Sequence, residues 1–220
     1  MKKPRIIGYY RYWVVLTYAS IVSAIVGITM ACQGQITAAI VCLMISGVCD
    51  MFDGTVARRA DRNDTEKGYG IQIDALADVI SFGAFPAVLG YNIYIDKNPY
   101  GNWGMVLTVS VMAMYVLCAL IRLAYFNVTE EEMQEQDVKR TYYEGLPVTS
   151  AAMIVPVVYA LVGADSPILP LVYDIMLFLI AICFVLKVKV PKLKLPIIIG
   201  MAIGCLVVVA AALIIRGVLG

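Results

Sequence analysis

The chain has 220 residues, of which 61% are hydrophobic and 15% are charged, and its mean hydropathy is +0.84. Soluble domains average about 45–50% apolar and about 25% charged residues, so this composition excludes an ordinary water-soluble globule. The net charge of +1 gives no reason to expect nucleic acid as a partner, and the absence of histidine removes imidazole as a base, nucleophile or metal ligand.

Long apolar segments recur along the whole chain. Seven are long enough, or nearly so, to cross a bilayer, and they cover residues 12 to 32, 35 to 58, 70 to 94, 102 to 127, 147 to 163, 168 to 187 and 195 to 216. We therefore predict an all-α, polytopic transmembrane helical bundle of about seven spans, forming one domain over residues 1 to 220. The acidic residues 129 to 140 are predicted to form a solvated connector or a short surface helix.

Lysine and arginine alternate between the connections of this predicted bundle. Such cations collect on the cytoplasmic side of membrane proteins. Fifteen of the 17 precede the first span or lie at every second connection after it: Lys2, Lys3, Arg5, Arg11, Arg58, Arg59, Arg62, Lys67, Arg122, Lys139, Arg140, Lys187, Lys189, Lys192 and Lys194. The pattern predicts a multi-pass protein of the cell membrane, with its N-terminus and its most polar face in the cytoplasm.

Four aspartates lie inside the second and third predicted spans. Asp50 and Asp53 are three positions apart and Asp74 and Asp78 four apart, spacings that return side chains to one helix face. Because the two spans are antiparallel neighbours, these acidic faces can meet inside the bundle. Each charge at a helix centre costs about 3 kcal/mol, so the cluster needs compensating positive charge. Protons, as in a relay or transporter, and hard divalent cations such as Mg²⁺ or Mn²⁺ both stay open at this point.

The residues beside the second span's aspartates favour a metal together with a phosphate. Gly54 and Ala57 share the face of Asp50 and Asp53, and their small side chains leave a slot for an extended group. Arg58 follows at the membrane edge, where it can meet a phosphate oxygen. Close helix packing is the alternative interpretation of Gly54 and Ala57. We expect a divalent-metal site for chemistry on a phosphate-containing lipid.

These residues resemble the signature of the CDP-alcohol phosphatidyltransferase family, D-x2-D-G-x2-A-R followed after a spacer by G-x3-D-x3-D. The eight specified positions are Asp50, Asp53, Gly54, Ala57, Arg58, Gly70, Asp74 and Asp78, with eleven residues between Arg58 and Gly70. ALADVISFGAFPA after Asp74, IRLAYFN around Arg122 and YEGLPVTSA around Gly145 resemble the serine-using branch of this family. The resemblance covers roughly residues 40 to 155.

The resemblance implies a six-helix core, to which this chain adds one span, and a transferase that is often a homodimer. It implies CDP-diacylglycerol as the donor, L-serine as a small alcohol acceptor, two Mg²⁺ or Mn²⁺ ions, and release of CMP. Family logic assigns Asp50, Asp53, Asp74 and Asp78 to the metals, and Asp78 also to the base that takes the hydroxyl proton. The nucleotide is assigned to Asp50, Gly54, Ala57, Arg58, Thr65, Gly70 and Asp74.

Arg122 interrupts the apolar run of the fourth span. It either extends its charge to the lipid headgroups or clamps a substrate phosphate or the carboxylate of serine. Glycerol 3-phosphate, inositol phosphate and choline stay open as other acceptors, and a cation or proton transporter is the alternative outside the enzyme class.

Overall fold

The computed structural model describes residues 7 to 97, 101 to 135, 142 to 187 and 189 to 191, and the single positions Gly200, Gly204 and Val207. The helices are α1 (Val15–Cys32), α2 (Ile36–Arg59), α3 (Asp64–Asp78), α4 (Phe85–Lys97), α5 (Gly101–Glu135), α6 (Ala151–Val162) and α7 (Leu169–Val185). 3-10 turns at Tyr12–Val14 and Val148–Ser150 precede α1 and α6, and a π-helical turn, Val79–Ala84, joins α3 to α4. Two short strands, β1 (Tyr142–Glu144) and β2 (Lys189–Pro191), pair antiparallel.

The predicted all-α membrane bundle is confirmed. In the described part of the chain, four helical stretches are long and apolar enough to cross a membrane, and two apolar helices are shorter: Tyr12–Cys32, Ile36–Arg59, Asp64–Lys97 and Gly101–Thr129, then Val148–Val162 and Leu169–Val185. They coincide with the first six predicted spans. The seventh, residues 195 to 216, lies outside the described residues apart from three single positions. The number of crossings and their orientation therefore stay predictions.

Two helices extend beyond their predicted ends. α3 begins at Asp64 because Asn63 caps it: the Asn63 side chain accepts a hydrogen bond from the Glu66 amide at 2.8 Å, and Glu66 Oε2 accepts one from the Asn63 amide at 3.1 Å. α5 continues to Glu135, so the first part of the acidic segment 129 to 140 is helical and residues 136 to 140 lie outside the described residues.

The π-helical turn is accommodated by side chains from two neighbouring helices. Pro86 has no N–H, and a proline ring crowds the carbonyl four residues earlier, which here belongs to Phe82. That carbonyl accepts a hydrogen bond from the Tyr115 hydroxyl at 2.7 Å, and the Pro86 carbonyl accepts one from the Tyr173 hydroxyl at 2.9 Å. Backbone groups inside hydrocarbon must find such internal partners. The two tyrosines thereby hold α5 and α7 against the π-helical turn and the start of α4, which follow directly after Asp78.

Small and hydroxyl side chains bring α1 close to α2, as is common between membrane helices. A Cβ added to Gly27 would lie 2.8 Å from Cys42 Cβ and would overlap the Phe85 ring, while the Ser20 and Ser46 hydroxyls bond at 2.7 Å. α3 packs against α1 more than against α2, so few backbone contacts join the two helices that carry the aspartates.

Candidate active site

Three of the four aspartates come together between α2 and α3. Asp50, Asp74 and Asp78 each present a carboxylate oxygen within 4.8 Å of the other two. All three side chains are half-buried, so they line the interior of the bundle without being sealed from it. In an antiparallel pair, residues equally far from the connecting loop lie at the same depth, which lets Asp50 of α2 meet Asp74 and Asp78 of α3.

Asp53 stands beside this group and is held by α1. It is 3% exposed, and its Oδ2 accepts a hydrogen bond from Thr17 Oγ1 at 3.0 Å. Its charge is close enough to interact with those of Asp50 and Asp74. Sequence reasoning missed Thr17, because it is one of several hydroxyl residues in the first span and nothing in the sequence distinguishes it from the others. α1, which contains no charged residue, thus orients a carboxylate of the site.

The cluster lacks positive charge of its own. Within the described ranges, the ion pairs join Arg11 to Glu66, Lys67 to Asp64 and Lys97 to Asp96, and none involves the four aspartates. Ionised carboxylates this close repel one another, and the surrounding hydrocarbon raises the cost. Oxygen donors are the ligands that Mg²⁺ and Mn²⁺ prefer. The residues present therefore fit a divalent cation, and their oxygen chemistry does not separate these two ions.

Gly54 faces open space beside the aspartates. A Cβ added there would have a single neighbour within 4 Å among the described residues, Arg58 Nη1 at 3.5 Å. The exposed Arg58 side chain turns back along the helix, since its Nη2 donates to Thr55 Oγ1 at 3.3 Å. Ala57, on the same face, is half-buried. Packing does not require a glycine at position 54, which favours the slot over the alternative of close helix packing.

Gly70 and Thr65 have different surroundings. A Cβ added to Gly70 would lie 3.0 Å from Arg62 Nη1 and 3.3 Å from Trp13 Cζ3, so these two side chains cover the glycine. Thr65 is exposed on the first turn of α3, and its hydroxyl makes no hydrogen bond to the described residues. The structure therefore brings Gly70 into a packed corner of the site and leaves Thr65 at its edge.

Arg122 is buried inside the protein. It is 5% exposed, its Nε donates to the Leu146 carbonyl at 3.3 Å, and its guanidinium carbon lies 5.2 Å from the centre of the Phe126 ring. This arrangement does not match a side chain that reaches for lipid headgroups. Gly145 adopts φ +76° where a Cβ would lie 2.9 Å from the Phe184 carbonyl oxygen. Two of the three segments that resemble the serine-using branch, those around Arg122 and Gly145, thus meet at Arg122.

Fold and site define a membrane-embedded helical bundle with a carboxylate cluster suited to a hard cation. The chain belongs to the CDP-alcohol phosphatidyltransferase family, whose model matches residues 14 to 215. This membership disfavours the transporter alternative.

Named relatives are identical to this chain at about a third of the aligned residues. Identity is 34% over 139 residues to the CDP-diacylglycerol-serine O-phosphatidyltransferase of Helicobacter pylori, covering 63% of this chain and 53% of that protein. The enzyme of the same name from Mycobacterium tuberculosis is 30% identical over 138 residues, or 63% and 45% of the two chains. The archaetidylserine synthase of Methanothermobacter thermautotrophicus is 33% identical over 137 residues, or 62% and 52%. The chain spans about half the length of these curated relatives.

Proposed function

We propose that the protein transfers a phosphatidyl group from CDP-diacylglycerol to the hydroxyl of L-serine, giving phosphatidylserine and CMP in a metal-dependent reaction. The observation that carries this proposal is the meeting of Asp50, Asp74 and Asp78, with oxygens within 4.8 Å of one another, in a chain of this family. The open face of Gly54 beside them adds room for a substrate.

The diphosphate of the donor would lie between α2 and α3, with its acyl chains in the bilayer. Asp50, Asp53, Asp74 and Asp78 would hold two Mg²⁺ or Mn²⁺ ions, which when bound neutralise the diphosphate and stabilise the departing CMP. The Thr17 hydroxyl keeps Asp53 oriented toward this space. Gly54 and Ala57 let the nucleotide approach the backbone of α2, and the Arg58 guanidinium overhangs the same opening.

Asp78 is the proposed base. Its carboxylate takes the proton of the serine hydroxyl while the serine oxygen bonds to the phosphorus that carries diacylglycerol. The bond from that phosphorus to the oxygen shared with CMP breaks, and CMP leaves with the electron pair. Asp78 is the last residue of α3 and directly precedes the π-helical turn. Tyr115 and Tyr173 hold this turn in place through their hydrogen bonds, so they also support the backbone at Asp78.

Serine is the proposed acceptor because two observations agree. The named relatives include enzymes whose names specify serine. Arg122 is the one cationic residue in predicted spans three to five, and one guanidinium suits the single carboxylate of serine. Glycerol 3-phosphate or inositol phosphate would bring a second phosphate and would call for further cations, while choline offers no anion to Arg122.

We also propose that the protein is a homodimer in the cell membrane, with its site facing the cytoplasm. The alternation of Lys and Arg along the sequence supports this orientation, and Arg58 and Arg59 end α2 on the side of the aspartates. Labelling of single introduced cysteines from either side of the membrane tests the orientation, and crosslinking in native membranes tests the dimer.

The deciding experiment incubates the purified protein with labelled CDP-diacylglycerol and a panel of alcohols, with Mg²⁺ or Mn²⁺, and identifies the lipid product. Phosphatidylserine and an equal amount of CMP are expected with serine. The Asp78→Asn variant serves as the inactive control. Absence of CMP release with every alcohol would overturn the transferase proposal, and a product with another alcohol would overturn serine as the acceptor.

A further inference from the structure

Two buried N–H donors near the aspartates have no acceptor among the residues that the structure describes. Trp13 Nε1 and Arg62 Nε are both buried and lack a hydrogen-bond partner within the described ranges, and Trp13 is 2% exposed. Leaving a buried donor unpaired is unfavourable, so nearly all such groups in proteins are paired, with protein, with water or with a ligand. Because Trp13 and Arg62 are neighbours, we expect one acceptor to serve both N–H groups.

The two donors stand together over Gly70. The guanidinium carbon of Arg62 lies 5.2 Å from the centre of the Trp13 ring, a distance at which the ring attracts the cation. Both side chains also lie within 3.3 Å of the position that a Cβ of Gly70 would occupy. Gly70 is one helical turn before Asp74 and on the same face of α3. Arg62 therefore stands at the edge of the carboxylate cluster.

The carboxylate of Glu66 already has hydrogen-bond partners other than Arg62. Its Oε1 accepts a hydrogen bond from Arg11 at 3.0 Å and its Oε2 accepts one from the Asn63 amide at 3.1 Å. Arg62 takes part in none of the ion pairs between described residues. The guanidinium thus lies over an aromatic ring with its Nε–H unpaired among the described residues, and a charged donor of this kind suits a phosphate oxygen.

We propose that Arg62 binds the diphosphate of the nucleotide-activated lipid, and that the Trp13 indole N–H donates to an oxygen of the same substrate. This inference rests on the proposed function, because it takes CDP-diacylglycerol as the ligand. Arg62 lies in the loop that joins α2 to α3, outside the eight signature positions. Trp13 supplies the platform that keeps the guanidinium beside Gly70.

Binding of CDP and of cytidine to the full-length protein tests the proposal without turnover, because CDP carries the diphosphate and cytidine does not. Arg62→Ala should weaken CDP binding and raise the KM for CDP-diacylglycerol about 10-fold or more, the effect of losing one charged hydrogen bond. The KM for serine and the affinity for cytidine should stay within about twofold of the wild type. Trp13→Phe, which keeps a ring but removes the N–H, should weaken CDP binding less than Arg62→Ala.

Arg59→Ala is the matched control, since it removes an exposed arginine from the end of α2. If Arg62→Ala binds CDP as tightly as this control does, the proposal is wrong. It is equally wrong if Arg62→Ala lowers the melting temperature while the folded protein binds CDP normally, which would make Arg62 a brace for α3. A wild-type protein that binds CDP but releases no CMP with any alcohol would overturn only the transferase function. The role of Arg62 would then still be tested by the affinity for CDP.

Discussion

Buried carboxylates at two places in the bundle differ in their partners. Where α5 meets α7, the buried Asp174 accepts a hydrogen bond from the Thr108 hydroxyl at 2.6 Å. Between α2 and α3, the carboxylates of Asp50, Asp74 and Asp78 face one another without a cationic partner among the described residues. The first carboxylate has a hydrogen-bond donor within the protein, and we expect a bound cation to offset the charge of the second group.

This difference separates groups that stabilise the fold from groups that are kept for chemistry. A buried polar network with every member paired makes the packing specific, whereas one with unpaired members is costly unless something binds there. The end that carries the aspartates should therefore gain stability from metal and substrate, and the end that carries Asp174 should be indifferent to both. Each prediction below tests one side of this contrast.

The largest effect is expected from Asp78→Asn. The amide cannot accept the serine proton, so turnover should fall by about 100-fold to 10,000-fold, the usual contribution of a general base. The same change removes one of several repelling charges, and the melting temperature of the metal-free protein should stay equal or rise. Rates of CMP release and thermal unfolding in detergent check the two parts. An Asp78→Asn enzyme with normal turnover would exclude Asp78 as the base.

Removal of the divalent metal should also have a large effect on turnover. Chelation with EDTA should abolish CMP release, and Mg²⁺ or Mn²⁺ should restore it. Because the ion binds the folded protein, saturation at about 100 times its Kd should add about 2.7 kcal/mol of stability. A thermal-shift titration checks this gain, which should shrink in Asp50→Asn and in Asp74→Asn but not in Asp174→Asn. Equal metal stabilisation of all three variants would contradict a site at the α2–α3 cluster.

Thr17→Val tests a residue that acts through Asp53. Valine has nearly the shape of threonine but cannot donate to Asp53 Oδ2. Turnover and apparent metal affinity should each fall by about 10-fold to 100-fold, the usual effect of removing a partner that orients a metal ligand. Thr17→Ser, which keeps the hydroxyl, should recover most of the loss. Metal titrations of activity distinguish this role, because a purely packing role would leave the metal affinity unchanged and would not depend on the hydroxyl.

Much of this architecture could be predicted from the sequence because hydrocarbon constrains it strongly. A helix inside a bilayer must be apolar over about 20 residues, so the sequence locates six helical segments, although α3 begins earlier and α5 ends later than predicted. Gly54, Ala57 and the aspartates could be singled out because charges and small residues at helical spacing are conspicuous in such segments. The start of α3 was predicted too late, since Asn63 and Glu66 form a capping box within a polar stretch.

The contacts between helices could not be predicted in the same way. Nothing in the order of residues shows that Thr17 reaches Asp53, that Tyr115 and Tyr173 serve the carbonyls around Pro86, or that Arg62 lies on Trp13. These pairs depend on how far each helix is rotated and shifted, and serines, threonines and tyrosines in apolar segments occur for many reasons. The sequence pointed to the charged residues of the site, and the structure was needed for the groups that orient them.

Tyr115→Phe tests the other side of the contrast. Loss of the hydroxyl leaves the Phe82 carbonyl without the partner that Pro86 cannot supply, which should destabilise the protein by about 1–2 kcal/mol. Thermal unfolding should show this loss with and without metal, because the bond is complete in the protein alone. Tyr18→Phe is a matched control, since its hydroxyl is only partly buried and bonds to the Tyr9 carbonyl and to Tyr69. A loss that disappears on adding metal would show that the π-helical turn belongs energetically to the site.

The smallest effect is expected from Asp174→Asn, which sharpens the contrast because it makes the same chemical change as Asp78→Asn in the same bilayer. The asparagine carbonyl can still accept the hydrogen bond from Thr108, so the stability should change by less than about 1 kcal/mol. Turnover and metal dependence should match the wild type, because Asp174 is not among the carboxylates that meet at the site. Parallel measurement of CMP release and unfolding in the two variants checks the pair. A large loss of turnover in Asp174→Asn would contradict the contrast, because it would show that a carboxylate outside the α2–α3 cluster also serves the reaction.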